Sequence, residues 1–136
     1  QALALNGIDL TVIGRHPENL ENFSPLPKTA TQGEKEGYEL VVDATGSPSG
    51  LADAMNFVRK KGTIVIKSTY AGNASINMSQ AVVNEITIVG SRCGPFEPSL
   101  KLLETGRVQL PPIELYELKD FRHAFSSSAF KAGFSF

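Results

Sequence analysis

The sequence predicts an α/β fold, in the form of a doubly wound, mostly parallel sheet with helices on both of its faces. Short apolar runs rich in β-branched residues are typical of strands that are buried in a parallel sheet. Helical patterns separate these runs, and the resulting alternation is that of βαβ units, whose right-handed crossovers place helices on both faces. The chain has 136 residues, of which 41% are hydrophobic, and it is therefore long enough for one domain with its own core.

Five segments carry the strand pattern. The first four are nearly continuous in apolar residues, whereas the fifth mixes apolar and charged residues like a half-exposed edge strand. The predicted strands are residues 9–14, 39–45, 63–68, 85–90 and 113–118. A weaker strand is expected near residues 29–31, inside the loop 24–36.

The most clearly marked helix begins at Ser47 and Pro48, an N-cap residue followed by proline at the first helical position. The cationic residues at 59–61 are favourable near the carboxyl end of a helix, where the helix dipole is negative, so we expect the helix to end there. Gly62 is expected to stop it. Shorter helices are predicted at 17–22, 98–105 and from Asp120 through 125. The chain also opens on helix-forming residues that end at Gly7, so we expect a helix that begins upstream of Gln1.

Composition excludes several classes of function. Thirteen basic and fourteen acidic residues give a net charge of −1, which supplies no basic face for nucleic acid or an anionic membrane. One cysteine and two histidines are too few to build a metal site from Cys and His. No apolar run approaches the roughly 20 residues of a membrane helix. We therefore expect a soluble cytoplasmic protein without a metal of its own.

Ligands bind open α/β sheets at the carboxyl ends of the strands, so the residues after each strand are the candidates for a site. In a dinucleotide-binding sheet the second strand ends on an acidic residue, which binds the ribose hydroxyls of NAD. Here Gly14 takes that place and Arg15 follows. A guanidinium suits a 2′-phosphate, so the pair predicts NADP in preference to NAD. The alternative is that Arg15 is a solvated charge at a strand end.

The other strand ends carry polar residues. Residues 46–48 form a turn of small residues that should bring main-chain amides toward an anion or a ribose. Asp43 lies in an otherwise apolar strand, and if it is buried we expect it to accept hydrogen bonds from amides of this loop. The polar turn 69–72 is placed to lie against a nicotinamide ring. Arg92 follows the fourth strand and could clamp a pyrophosphate or a carboxylate, or it is an ordinary surface arginine.

Several motifs of known chemistry are missing from the 136 residues: GxGxxG, GxxxxGK[ST], Tyr-x-x-x-Lys, and any Ser-His-Asp or paired-carboxylate arrangement. We therefore assign no catalytic residue and no metal ligand.

Two long segments are nevertheless similar to a known family. VVDATGSPSGLADAMNFVRKKGTIVIKSTY and EITIVGSRCGPFEPSLKLLETGRVQL resemble the second half of the cofactor domain of the medium-chain dehydrogenases/reductases, the zinc-type alcohol and polyol dehydrogenases. The resemblance implies an incomplete Rossmann-type sheet in residues 1–118, followed by a C-terminal helical return segment, 119–136. It also implies an NAD(P)-dependent oxidoreductase in which the catalytic zinc belongs to a domain outside these residues.

The resemblance assigns cofactor contacts to six residues. Arg15 is expected at the adenosine ribose, Thr45 and Gly46 at the nicotinamide ribose, Ser68 and Thr69 at the nicotinamide, and Arg92 at the pyrophosphate. Together with Gly14, selected above from the end of the second strand, they make seven predicted cofactor-site residues.

The family pattern also places a strand and a glycine-rich turn before Gln1. Without that strand, the strands 9–14 and 39–45 would lie about 9–10 Å apart. We expect that the upstream piece is present, that another chain fills the gap, or that the sheet pairs differently. The edge strand 85–90 is expected to pair with a second copy. Without the glycine-rich turn, the chain alone is expected to bind a dinucleotide weakly and to show no turnover.

Two other functions stay open. The chain could be a non-catalytic binding or assembly module that uses its exposed sheet edge and an apolar tail, made of Phe121, Phe125, Phe130 and Phe134. It could also be a different α/β protein that binds a nucleotide or a methyl donor.

Overall fold

Helices and short parallel strands alternate along the chain in the computed structural model, which describes residues 1–21, 27–129 and 131–136. These residues fall into two units: a central unit of residues 32–94, and a terminal unit of residues 1–31 and 95–136. Phe130 of the predicted apolar tail lies outside the described ranges. So do residues 22–26, which contain the end of the predicted helix 17–22 and the start of the predicted loop 24–36.

The central unit contains one parallel sheet and two helices. Its elements are β3 (Tyr38–Asp43), α2 (Pro48–Phe57), β4 (Val58–Ile66), α3 (Met78–Val83) and β5 (Thr87–Gly90). The strand order is β3-β4-β5, so β4 is the middle strand, and Ile64 on it pairs with Val41 and Ile88. Ile64 has no exposed surface and lies in a core built with Leu51, Ala54, Met55, Val58 and Ala81.

The terminal unit contains two short parallel strand pairs. Its elements are a 3-10 turn (Ala4–Asn6), β1 (Thr11–Ile13), α1 (Pro17–Leu20), β2 (Lys28–Ala30), α4 (Phe96–Glu104), β6 (Glu114–Glu117), a second 3-10 turn (Leu118–Asp120), α5 (Phe121–Ser126) and β7 (Ala132–Ser135). β1 pairs with β2, and β6 pairs with β7. The first 3-10 turn ends at Gly7 in the left-handed conformation (φ 70°), as the sequence predicts.

The predicted fold class is confirmed. All five predicted strands and the weaker strand near 29–31 are present, and every strand pair among the described residues is parallel. No helix in the described ranges is both long enough and apolar enough to span a bilayer.

The predicted end of the helix after Ser47 is wrong. α2 ends at Phe57, and the cations at 59–61 lie in β4 rather than in the last helical turn. Val58 is buried and pairs with Tyr38, and burial of this side chain outweighs the weak preference of cations for a helix end. Gly62 does not stop the helix: a side chain there would lie 2.6 Å from Val58 Cγ2 and 2.9 Å from the Glu39 carbonyl, so glycine allows β3 and β4 to approach closely.

Two elements were missed by sequence analysis. α3 begins at Asn77, whose side-chain oxygen accepts hydrogen bonds from the amides of Ser79 and Gln80, so an N-cap signal was present in the sequence. β7 contains alanine, glycine and serine beside one phenylalanine, and alanine and glycine are depleted in strands, so its sequence gives no strand signal.

Candidate functional site

The carboxyl ends of β3, β4 and β5 meet at one edge of the parallel sheet in the central unit. Five of the seven predicted site residues follow these strands: Thr45, Gly46, Ser68, Thr69 and Arg92. The other two, Gly14 and Arg15, follow β1 in the terminal unit.

Asp43 ends β3 and organises the turn after it. The residue is only 3% exposed, and its Oδ1 accepts hydrogen bonds from the backbone nitrogen of Thr45 at 2.9 Å and from Thr45 Oγ1 at 2.8 Å. A buried carboxylate needs such donors, because burial without them costs several kcal/mol. The interpretation that Asp43 binds a loop amide is confirmed.

The amides of this turn are already used inside the protein. Besides the Thr45 amide, the Ser47 amide donates to Thr45 Oγ1 at 3.2 Å, and the Gly46 amide donates to Ser68 Oγ at 2.9 Å. The amides of Gly46 and Ser47 thus have hydrogen-bond partners inside the protein. Gly46 has φ 68°, and a side chain there would meet no atom within 4 Å, so the turn is open for a ligand to approach.

Gly50 allows the first turn of α2 to lie directly against this network. A Cβ atom at position 50 would overlap Thr45 Oγ1 and would lie 2.7 Å from Asp43 Oδ1. Sequence analysis missed this residue. The signal available was a glycine in the first turn of an otherwise regular helical pattern, where alanine would be favoured by about 1 kcal/mol.

The segment after β4 is held to the β3 turn by two side chains. Ser68 Oγ accepts the hydrogen bond from Gly46, and the hydroxyl of Tyr70 donates to the second oxygen of Asp43. The Tyr70 ring packs against the core of the central unit. Burial, and then the hydrogen bond to Asp43 and its negative charge, raise the pKa of Tyr70 to about 12, so the hydroxyl remains a donor at neutral pH.

The segment after β5 is held by a lysine that sequence analysis did not select. The Lys67 ammonium donates to the carbonyl of Arg92 and lies 3.5 Å from Ser91 Oγ. The amide of Ser91 donates to the Ile66 carbonyl at 2.9 Å, which extends the pairing of β4 and β5 beyond their ends. Arg92 itself is exposed, as a residue that contacts a ligand phosphate must be.

In the terminal unit, Gly14 has a packing role. Its amide donates to the Ala30 carbonyl at 3.1 Å, and a Cβ atom there would lie 2.9 Å from the side chain of the buried Leu20. Glycine is therefore favoured at position 14 by packing, in addition to the cofactor hypothesis. Arg15, the next residue, is exposed.

A bound zinc ion does not fit the side chains of this structure. Within residues 1–21, 27–129 and 131–136, no three His, Cys, Asp or Glu side chains are close enough together to hold a metal ion. We therefore derive no chemical step that uses zinc.

Comparison with known proteins gives a family match and several structural neighbours. The sequence model of the zinc-binding dehydrogenases matches residues 2–105 of the chain. D-arabinitol dehydrogenase 1 of Uromyces fabae is 29% identical over 99 residues, which are 68% of this chain and 28% of that protein.

Two solved structures are similar in fold. A short chain alcohol dehydrogenase from Escherichia coli CFT073, complexed with NADH, matches 98% of this chain and 46% of its own, with 18% identity and a TM-score of 0.78. L-idonate 5-dehydrogenase from E. coli K-12 matches 94% of this chain and 43% of its own, with 20% identity and a TM-score of 0.78. The chain thus spans less than half the length of each of these three proteins.

Proposed function

Because the chain belongs to the zinc-binding dehydrogenase family, we propose that it supplies part of the cofactor site of an NAD(P)-dependent oxidoreductase that acts on an alcohol or a polyol. The proposal rests on one observation: a hydrogen bond joins the segments that follow β3 and β4 in the central unit. There the open turn at Gly46 is hydrogen-bonded to Ser68, at the edge of the sheet where α/β folds bind their ligands.

The hydrogen bonds of the site suggest how each residue would act. Ser68 Oγ accepts from the Gly46 amide and donates to the Asp43 carbonyl over a long 3.5 Å contact, so a ligand oxygen at hydrogen-bond distance can take over the Ser68 proton. Thr69 is exposed beside it, and Arg92 offers a positive charge for the pyrophosphate. Thr45 acts by shaping the turn, because its hydroxyl is committed to Asp43. When bound, the nicotinamide cofactor accepts or donates the hydride.

The first test is binding of NADPH to the 136-residue chain, followed residue by residue in NMR spectra of the amides. We expect weak, saturable shifts at Gly46, Ser68, Thr69 and Arg92, because the sequence contains no GxGxxG turn to hold the pyrophosphate. We also expect no alcohol-dependent NADPH formation by the chain alone. Shifts confined to residues far from the strand ends, or measurable turnover, would contradict this proposal.

Matched serine variants sharpen this test. Ser68→Ala should weaken NADPH binding about five- to tenfold, the equivalent of one hydrogen bond. Ser79→Ala, which changes an exposed serine on α3 of the same unit, should leave binding unchanged. Titration with S-adenosylmethionine tests the rival function, since shifts of the same amides by that ligand alone would identify a methyl-donor binder instead.

Preference for NADP is a further part of the proposal, and it rests on Gly14 and Arg15. We expect Arg15→Ala to weaken NADPH binding about tenfold, the loss of one charge-assisted contact, and to change NADH binding less than twofold. Arg107→Ala, an exposed arginine of the same unit, serves as the control for nonspecific charge effects. Tighter binding of NADH than of NADPH by the unaltered chain would overturn the preference.

Three other predictions remain part of the proposal. The division into a partial dinucleotide-binding domain, 1–118, and a return segment, 119–136, follows the family resemblance. Pairing of two copies through β5 is proposed because β5 pairs only with β4 in the described part of the chain. A cytoplasmic location is proposed from composition alone.

A further inference from the structure

One carboxylate contacts two of the strand-end segments that carry candidate cofactor residues, those after β3 and β4. Asp43 Oδ1 binds the backbone and the hydroxyl of Thr45 on the β3 turn, and Asp43 Oδ2 binds the hydroxyl of Tyr70 on the segment after β4. Tyr70 lies 27 residues further along the chain and immediately follows Ser68 and Thr69.

We propose that the hydrogen bond between Tyr70 and Asp43 is a positioning contact that holds Ser68 and Thr69 beside the Gly46 turn, in the geometry that binds the nicotinamide end of the cofactor. The inference rests on the proposed function for its ligand. Tyr70 is a positioning residue in this proposal, since it acts through Ser68 and Thr69 rather than by touching the cofactor.

The contacts form a closed ring across two strands. Asp43 holds Tyr70, the chain leads back from Tyr70 to Ser68, Ser68 Oγ holds the Gly46 amide, and the neighbouring Thr45 returns to Asp43. Two hydrogen bonds of this ring keep Ser68 close to Gly46: the direct one between them, and the one between Tyr70 and Asp43. Without the Tyr70 hydroxyl, the two segments would still be joined by the Ser68 bond and by the backbone hydrogen bond from the Lys67 amide to the Asp43 carbonyl.

The chemistry of the pair suits a permanent contact. Asp43 is almost completely buried, and its second oxygen needs a donor as much as its first one does. A tyrosine hydroxyl is protonated at neutral pH, and burial together with the hydrogen bond to Asp43 raises the pKa of Tyr70 further, to about 12. The Tyr70 ring packs against the core, and this packing would anchor the residue without the hydroxyl. The hydroxyl therefore contributes a directional hydrogen bond rather than buried area.

Tyr70→Phe tests the proposal because it removes the hydroxyl and retains the ring. We expect the Gly46 amide to exchange with solvent about tenfold faster and NADPH to bind about five- to tenfold more weakly, the effect of one hydrogen bond. Tyr116→Phe is the matched control, since that hydroxyl also donates to a carboxylate, Glu114 Oε2 at 2.7 Å, but in a solvent-exposed hydrogen bond of the terminal unit. The control should change neither quantity by more than twofold.

Asp43→Asn provides the conservative rescue. An asparagine oxygen can still accept from Thr45, and its amide group can donate to the Tyr70 oxygen, so the ring closes with one bond reversed. We expect this variant to keep both the Gly46 protection and the NADPH dissociation constant within about threefold of the unaltered chain. If Tyr70→Phe does not fold, Asp43→Asn is the deciding variant. Retained Gly46 protection and retained NADPH affinity in this variant support the positioning contact, and loss of both overturns it.

The two readouts separate this proposal from the proposed function. Unchanged Gly46 exchange and unchanged NADPH binding in Tyr70→Phe would overturn the positioning contact while leaving cofactor binding intact. If NADPH shifts no amide of the unaltered chain, the proposed function fails, and Gly46 exchange, which needs no ligand, still decides whether Tyr70 positions the segment.

Discussion

Replacing Asp43 with alanine is expected to lower the free energy of unfolding by about 3 kcal/mol, one of the two largest effects that we predict for the candidate site. The change removes the acceptor of three donors, the Thr45 amide, the Thr45 hydroxyl and the Tyr70 hydroxyl. Water can replace the acceptor for the exposed Thr45 but reaches the half-buried Tyr70 less well, so the Tyr70 donor contributes much of the cost.

Urea unfolding of the unaltered chain and of matched variants measures this effect. Asp9→Ala is the control, because Asp9 also pairs with a basic partner, Lys28 at 2.9 Å, but its side chain is 77% exposed, and such pairs contribute at most about 1 kcal/mol. Asp43→Asn should fall between the two. Equal stability of Asp43→Ala and Asp9→Ala would show that the buried network does not stabilise the central unit.

The sequence predicts the backbone of this site better than its side-chain contacts. Hydrophobic runs identify β3, β4 and β5, and the rule that ligands bind at strand ends selects the turns 46–48 and 69–72. Thr45 and Ser68 were selected only by the family resemblance. Only one of the two hydrogen-bond partners of Asp43 could be predicted from the sequence. Thr45 lies two residues away and follows from turn chemistry, whereas Tyr70 lies 27 residues away and meets Asp43 only through parallel pairing of β3 with β4.

The wrong helix end has the same origin. The cations after α2 were assigned to a helix end because local electrostatics favours them there, but pairing of Val58 with Tyr38 and burial of Val58 place them in a strand. The hydrogen bond from the Gly46 amide to Ser68 Oγ likewise joins residues 22 positions apart, so the sequence of the turn does not reveal it.

Gly50→Ala is expected to be about as destabilising as Asp43→Ala, although helix propensity predicts the opposite. Alanine in a helix interior is favoured over glycine by about 1 kcal/mol. At position 50, however, the added methyl group would overlap Thr45 Oγ1 and lie 2.7 Å from Asp43 Oδ1. Relief requires α2 to move away from the β3 turn or the turn to release its hydrogen bonds, and we expect a net loss of about 3 kcal/mol.

Gly90→Ala is the matched control for this change. Gly90 belongs to the same unit, lies outside the left-handed region, and would meet no atom within 4 Å if it carried a side chain. Its replacement should leave stability within about 0.5 kcal/mol or raise it slightly, since alanine restricts the unfolded chain. In thermal unfolding, Gly50→Ala should therefore melt well below Gly90→Ala. A Gly50→Ala variant as stable as the unaltered chain would mean that α2 does not pack against the Asp43 network. The ring through Tyr70, Ser68 and Gly46 would then lack the rigid support that the positioning role requires.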